Sequence, residues 1–468
     1  MASNQSEQKW VEEDVFILPA SFAQQRLWFI EQLLPGNALY VIPLVFRLTG
    51  ALQQSHLQQS IQAIVQRHES LRTTFDEIDG QLVQVIWSEL PIAFQVIDLR
   101  SLPANIREET TLTQIWQKIQ QPFHLNQKPL FRTQLWQLQD TEHLLLLAFH
   151  HIIFDEWSSG VLIRELGELY TALVEARPAQ LPELPIQYAD FAHWQREWLQ
   201  GEVLNNQLRY WKQQLKDVPV LELPGAVSRS LGHSSLQNYG GASQLLELPQ
   251  SLLDALEELS QMAGVTLFMT LLAAFQVLLH LYTGQTDLAI GSPIANRHRS
   301  ELEGLIGFLV NSLVLRTNLA GNPTFRELLD RVRDVTLAAY DHQDLPFEKL
   351  VEELQPVRSL GQNPLFQVVF ALQNTPMEHL TLPGLVLSPV ALETKTARFD
   401  LEVYVWKCAD NFRNLWGEGW QQIDGLRGVI VYNTDLFDSS TIASLRRHFQ
   451  TLLEGIVAAP ETPLSVLS

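Results

Sequence analysis

Residues 143–162 read HLLLLAFHHIIFDEWSSGVL: an unbroken apolar run, two histidines, and then polar residues leading into an amphipathic stretch. A strand with one wet face alternates apolar and polar side chains, and this run does not. It is therefore predicted as a central strand covered on both faces. SGVLIRELGELYTALVEA (159–176) carries helical periodicity, with Ser158 or Ser159 as the expected N-cap. A strand that ends in a polar turn before a helix N-terminus is a favoured place for a site in α/β folds. This one segment thus demands layers on both sides of a sheet and offers a cluster of His150, His151, Asp155 and Glu156 at its end.

The same alternation of periods fills the rest of the chain. ALQQSHLQQSIQAIVQRHESLRTTF is helical through most of its length, with Leu57, Ile61, Ile64 and Val65 on one face. Strands are expected at 81–87 and 90–99, with Asp79-Gly80 as a turn before the first. Prolines 178, 182 and 185 stop the helix after the site and mark a lobe boundary near 180. Beyond it a helix is expected over 251–283, a strand near 286–295, and helices near 324–340 and 345–355. Further strands are expected near 365–372, 399–406 and 426–433. A chain of 468 residues exceeds one ordinary core. The order of elements argues for two α/β sandwiches, 1–180 and 181–468.

Composition narrows the function. The 32 basic against 52 acidic residues give a net charge of −20 with no Lys/Arg-rich block, which argues against nucleic acid or an anionic membrane as partner. One cysteine, Cys408, excludes an internal disulfide and suits a reducing cytoplasm. The polar start MASNQSEQKWVEED has no signal-peptide core. VTLFMTLLAAFQVLLHLY (265–282) reaches spanning length, yet Thr266, Thr270, Gln276 and His280 interrupt it, so it reads as a buried helix.

Neighbours on a strand point to opposite faces, so only one of His150 and His151 readily faces a given cavity. A histidine there can exchange a proton near neutrality, or simply be a satisfied structural residue. A metal site on His150, His151 and Asp155 is poorer, because adjacent ring nitrogens diverge and no other His/Cys cluster completes a shell. No G-x-S-x-G elbow, phosphate loop or dinucleotide glycine pattern appears, and GEGWQQIDG lacks both the third glycine and a preceding strand.

Seven segments in order carry a family resemblance: SFAQQRLWFIEQL (21–33), RHESLRTTF (67–75), HHIIFDEWS (150–158), YADFAHWQ (188–195), IGFLVNSLVLR (306–316), HQDLPFEKLV (342–351) and RSLGQNPLFQV (358–368). Together they resemble the signatures of condensation domains of nonribosomal peptide synthetases, the third being the HHxxxDG core. Three departures stand out. Glu156 replaces the glycine of that core, Gly361 and Gln362 replace a serine–arginine pair, and 405–425 is longer and more aromatic than the usual connection.

The resemblance implies two chloramphenicol-acetyltransferase-like lobes in a V-shaped pseudodimer with a tunnel between them. It implies amide-bond formation between a donor acyl or peptidyl thioester and an acceptor aminoacyl thioester, each tethered to a carrier protein by phosphopantetheine. The partners implied are an upstream and a downstream carrier domain and an adjacent adenylation domain; no cofactor is bound directly and no metal is expected. His151 is the implied catalytic residue. Asp155 pairs with Arg297 of the other lobe as scaffold, and His150 packs structurally. Glu156, Trp157 and Ser158 fall on the tunnel or acceptor side, with Trp157 as a wall, and the helix N-terminus behind them favours an oxyanion. Residues 297–311 are expected to form a bridging floor, and a strand-like latch is expected within 375–395. The first and fifth segments resemble the L-donor subtype, while a fatty-acyl starter subtype shares them. Relatives that only recruit a tailoring enzyme degrade the histidine motif, which is intact here, and the aspartate-rich motif of heterocyclising relatives is absent. A stand-alone acyltransferase using a soluble thioester is a third reading.

Overall fold

The computed structural model describes residues 15–33, 35–224, 240–355, 363, 365–373, 382–390, 392, 395–407 and 424–467. Gly361, Gln362, Cys408, most of the 405–425 connection and residues 375–381 of the expected latch lie outside that set.

The first lobe opens with β1 (Val15–Pro19), α1 (Phe22–Leu33), β2 (Val41–Gly50) and α2 (Gln54–Arg67). It continues through β3 (Thr73–Ile78), β4 (Gln81–Trp87), β5 (Gln95–Asp98) and α3 (Ala104–Ile119), then β6 (Phe131–Gln139), β7 (Glu142–His150) and α4 (Glu156–Val174). Two helices, α5 (Tyr188–Trp198) and α6 (Gly201–Gln214), lead to the second lobe. There β8 (Gly241–Pro249), α7 (Gln250–Met262), α8 (Leu267–Thr283) and β9 (Asp287–Ile294) are followed by α9 (Ser300–Glu303), β10 (Asn311–Asn318), α10 (Phe325–Asp341) and α11 (Phe347–Leu354). The chain ends through β11 (Val368–Leu372), β12 (Leu385–Pro389), β13 (Leu401–Lys407), β14 (Gly425–Asn433) and α12 (Ser439–Ala458).

Among the described residues the strands form three sheets, in the orders β1-β4-β3, β12-β2-β7-β6-β5 and β10-β9-β11-β13-β14-β8. Strand β7 lies between β2 and β6, antiparallel to both. Its alternate side chains enter two different cores. Leu145, Leu147 and Phe149 join Ile61, Ile64 and Leu166 from α2 and α4, whereas Leu144, Leu146 and Ala148 join Ile115, Ile119 and Trp136. A fully buried leucine contributes roughly 1.5–3 kcal/mol, so this strand anchors the lobe. It holds the following turn rigid from behind.

Three local expectations are corrected. The 90–99 strand shrinks to β5, because the Gln62 side-chain amide binds Leu90 O at 3.0 Å and Ile92 N at 2.9 Å and takes the place of a ladder partner. The 251–283 helix is two, α7 and α8, bent by 104°. Gly264 is left-handed (φ +63°), Val265 N bonds back to Ser260 O, and Thr266 starts the new helix by accepting from Met269 N. Among the described residues no single helix is long and apolar enough to cross a membrane. The third correction concerns the cap of α4, described below.

Two stretches of chain tie the lobes together, alongside side-chain contacts such as the Arg26–Glu348 ion pair. Residues 304–309 run from the second lobe into the first, where Ile306 and Phe308 are part of the core. Ser70 Oγ donates to Ile306 O (2.6 Å), and Ile306 N donates to His68 Nδ1 (3.4 Å). Gly307 is required by close approach, since a Cβ there would meet the Tyr188 ring at 2.1 Å. In the other place, β12 of the later chain adds to the edge of the first lobe's sheet, pairing antiparallel with β2 from Leu385↔Gly50 to Pro389↔Phe46. Val390 N then bonds Val45 O at 2.8 Å before the chain returns.

Candidate active site

The site is built where β7 ends. His150 is its last residue and His151 begins a one-turn 3-10 helix to Ile153. The two rings therefore diverge by a change of backbone type rather than by strand alternation. His150 is buried, its Nδ1 accepts from Ile152 N at 3.1 Å, and its ring lies edge-on to Phe123. Burial, with the neighbouring His151 and Arg132, pushes it down to about 3. It stays neutral and structural.

His151 is half-buried, and three groups fix it. Its N–H donates to Tyr40 O (2.8 Å), and its ring packs against Phe308 of the crossing segment, centroids 4.7 Å apart. Nδ1 lies 2.7 Å from Phe154 O. A carbonyl can only accept, so Nδ1 carries the proton and Nε2 is left as the lone-pair nitrogen. Burial, then the positive charge of Arg398, lowers the ring to about 4 against the opposing pull of Phe154 O and Asp155. At neutral pH it is an uncharged acceptor. Among the described residues nothing is hydrogen-bonded to Nε2.

Asp155 is the N-cap of α4, in place of the expected Ser158 or Ser159. Its Oδ1 accepts from Ser158 N (2.8 Å) and Ser158 Oγ (2.6 Å), and its Oδ2 accepts from Leu309 N (3.0 Å). Arg297 Nη2 reaches both oxygens, at 3.0 and 3.1 Å. The other arm of Arg297 is held by Leu302 O and Leu305 O, at 2.6 and 2.7 Å. Both side chains are sealed from solvent, so every charge here is matched by a neighbour.

Ser158 does not line an open wall. Its hydroxyl is fully buried and, besides donating to Asp155, accepts from Gly307 N at 3.1 Å. The serine at this place is the third residue of the helix, which is why its own N–H needs the Asp155 cap. Trp157 is half-buried and clasps the crossing segment, its Nε1 donating to Glu303 O at 2.9 Å. Glu156 is exposed as the first residue of α4. Its backbone is not left-handed, so this position does not need glycine's freedom here.

Four contributors escaped sequence reasoning: Tyr40 O, Phe154 O, the Phe308 ring and Arg398. The first two act through backbone carbonyls, which any residue supplies, so no side-chain pattern marks them. Arg398 is a single cation ahead of a strand and carries no spacing signal. Tyr188, whose hydroxyl donates to Phe308 O at 2.7 Å, lay in a recognised segment without an assigned role.

The condensation-domain profile matches residues 16–468. The chain belongs to the condensation-domain family. It is 46% identical over 453 residues to one chain of the linear gramicidin synthase of Brevibacillus parabrevis, covering 96% of this chain and 8% of that protein. Surfactin synthase subunit 1 of Bacillus subtilis (strain 168) is 38% identical, with 96% and 12% covered. In fold the condensation domain resembles the teicoplanin-biosynthesis X-domain solved in complex with OxyB, with a TM-score of 0.83 at 27% identity and 98% and 96% of the two chains covered. The chain thus spans about a tenth of the curated relatives' length. Its architecture is the two-lobed chloramphenicol-acetyltransferase-like one.

Proposed function

We propose that this domain forms an amide bond between a donor acyl or peptidyl thioester and an acceptor aminoacyl thioester, as part of a nonribosomal peptide synthetase. The observation that carries this reading is His151: a neutral ring with Nδ1 committed to Phe154 O and Nε2 open for a hydrogen bond from an amine. The partners in this reading are an upstream and a downstream carrier domain, whose phosphopantetheine arms bring the substrates, and an adenylation domain. No cofactor of its own is required. The setting is cytoplasmic, and the lobe boundary falls at 180/181.

The chemistry asks little of the protein. A neutral amine attacks a thioester readily, so holding two tethered reactants in contact contributes on the order of 7–11 kcal/mol at best. His151 Nε2 orients the amine. His150, Asp155 and Arg297 are scaffold, with Asp155 also aiming the positive end of α4 at the site. Glu156 flanks the acceptor side without taking a proton, Trp157 closes the floor, and Ser158 ties the cap to it. The donor type is L-configured or a fatty-acyl starter.

The test is to load both carriers with candidate residues and look for the condensed product by intact mass spectrometry. Product that requires His151 supports the reading. A second reading, recruitment of a partner enzyme without catalysis, is favoured by the fold likeness to an X-domain. Loaded carriers that never yield product would decide for it.

A further inference from the structure

The peptide unit joining Phe308 to Leu309, in the segment that crosses between the lobes, is gripped at both ends. Tyr188 Oη lies 2.7 Å from Phe308 O, and Leu309 N donates to Asp155 Oδ2 at 3.0 Å. The C=O and N–H of a peptide bond share one plane and point opposite ways. Two bonds from opposite sides therefore fix how that plane is turned. The residue before it has no slack either. Gly307 N donates to Ser158 Oγ at 3.1 Å, and a Cβ on Gly307 would collide with the Tyr188 ring. The reading above gives Asp155 and Ser158 their part in this grip and leaves Tyr188 without one.

The partners alone assign the protons on the Tyr188 side. A carbonyl only accepts, so the single hydroxyl proton of Tyr188 lies on the bond to Phe308 O. Ser21 Oγ, 2.9 Å from Tyr188 Oη, must then donate to it. Ser21 Oγ in turn accepts from Gln24 N at 3.1 Å, in the first turn of α1. Ser21 and Tyr188 are both 1% exposed, so the run is closed to solvent. The Tyr188 ring sits among Phe191, Leu302, Leu305 and Leu309, where a phenylalanine would pack as well. A hydroxyl in such surroundings costs desolvation unless it is bonded, so what it adds is the bond to Phe308.

Phe308 carries this hold to the reacting group. Its ring packs on the His151 ring with centroids 4.7 Å apart and planes at 62°. The bond from Nδ1 to Phe154 O pins one atom of the imidazole and leaves the ring able to rock about it; the Phe308 ring is the stop. We propose that Tyr188 is a positioning residue of the proposed condensation: its hydroxyl and Asp155 together turn the 308–309 peptide so that Phe308 holds His151 at the angle from which Nε2 meets the amine. The inference rests on the condensation reading. Buried as it is, Tyr188 touches no substrate, and its proton stays on the bond to Phe308 O throughout. Without the hydroxyl the 308–309 plane is held on one side only, the Phe308 ring gains room, and Nε2 loses its fixed aim. Misplacing a reacting group by an ångström costs on the order of 10²-fold, so a partial loss of aim should cost about tenfold.

The experiment reads the His151 side-chain NMR signals in the intact domain and, with loaded carriers, kcat and KM. The ring current of Phe308 displaces the His151 ring-proton signals, and Phe308→Leu, which removes it, sets the far end of the scale. Tyr188→Phe should move the same signals part of the way towards that end. Its kcat should fall about tenfold while the KM for the acceptor carrier stays unchanged. Because Tyr188 acts through Phe308, the double variant should be no slower than Phe308→Leu alone. His151 signals that do not move in Tyr188→Phe overturn the proposal, as do a loss carried by KM and kcat losses that multiply in the double variant. Phe308→Leu at the wild-type kcat overturns it as well, since Tyr188 would have nothing to act through. A Tyr188→Phe domain that fails to fold makes the hydroxyl a determinant of the fold and overturns it too. The NMR comparison needs no product. A wild type that makes none counts against the condensation reading, and the hydroxyl's hold on His151 is judged separately.

Discussion

Asp155 and His151 are four residues apart on one turn, and they use their polar atoms in opposite ways. Asp155 has both oxygens filled by Ser158, Leu309 and Arg297, in a pocket without solvent. His151 has one nitrogen filled, by Phe154 O, and one open. A buried carboxylate with both oxygens occupied has no place for an incoming group, so it fixes geometry. A half-satisfied neutral imidazole retains one lone pair for an incoming group. The difference separates scaffold from reagent inside a single motif.

The largest effect should come from the open nitrogen. His151→Ala is expected to cut condensation by about 10²–10⁴-fold or more, while the melting temperature stays near that of the wild type. Product at the wild-type rate from well-loaded carriers would remove His151 from the reaction.

The saturated half of the comparison predicts the reverse balance. Asp155→Ala and Arg297→Ala should each cost stability, roughly 3–5 kcal/mol, because each strands a buried charge. The double variant should lose less than the sum. Denaturant unfolding of the four proteins completes the cycle. Strictly additive losses would mean that the pair seen at 3.0 Å contributes no coupling.

How far the sequence could be read follows the same division. Period told the elements apart wherever one side chain's burial decides, so β7, α2, α10 and β14 were legible as alternation or as apolar runs. It failed where the backbone or a distant amide decides. Gly264 and Thr266 were visible in the sequence, but the apolar pattern continues through them, and only the left-handed turn breaks the helix. Asp155, Ser158 and Ser159 are all good N-caps by type. Arg297 and Leu309 settle the choice by needing Asp155 in the pocket, 142 and 154 residues away in sequence. That contact was implied by family resemblance and not by any local pattern. The His151 tautomer depends on a carbonyl and was not legible at all.

A smaller effect is expected at Glu156, which belongs to neither class. It is exposed at the first turn of α4, where a carboxylate contributes about 0.3–1 kcal/mol against the helix dipole. Glu156→Gly should therefore keep condensation, lose stability on that scale, and accept a wider range of acceptor residues in competition assays. Loss of activity in Glu156→Gln, which keeps the shape, would show that the charge itself is needed.

The last prediction takes the comparison to a buried polar group that is satisfied on neither side. His143, near the start of β7, is 2% exposed, and both ring nitrogens lack a hydrogen-bond partner among the described residues. Burial, and then the Arg100 cation, hold its ring below the ordinary histidine range. The unfolded chain therefore protonates first as pH falls. Stability is complete above the unfolded value near 6.5 and is lost as pH drops towards the folded one. A leucine of similar volume removes the uncompensated desolvation, so His143→Leu should stabilise the domain by about 1 kcal/mol at neutral pH. The gain should widen between about pH 6.5 and 5, because the variant no longer has this proton to bind. His150 and His151 are lowered too and remain in the variant, so the difference between the two unfolding curves isolates His143. A destabilised His143→Leu, or a gap that does not grow on acidification, would mean that the histidine finds a partner in solution and belongs with Asp155 as scaffold.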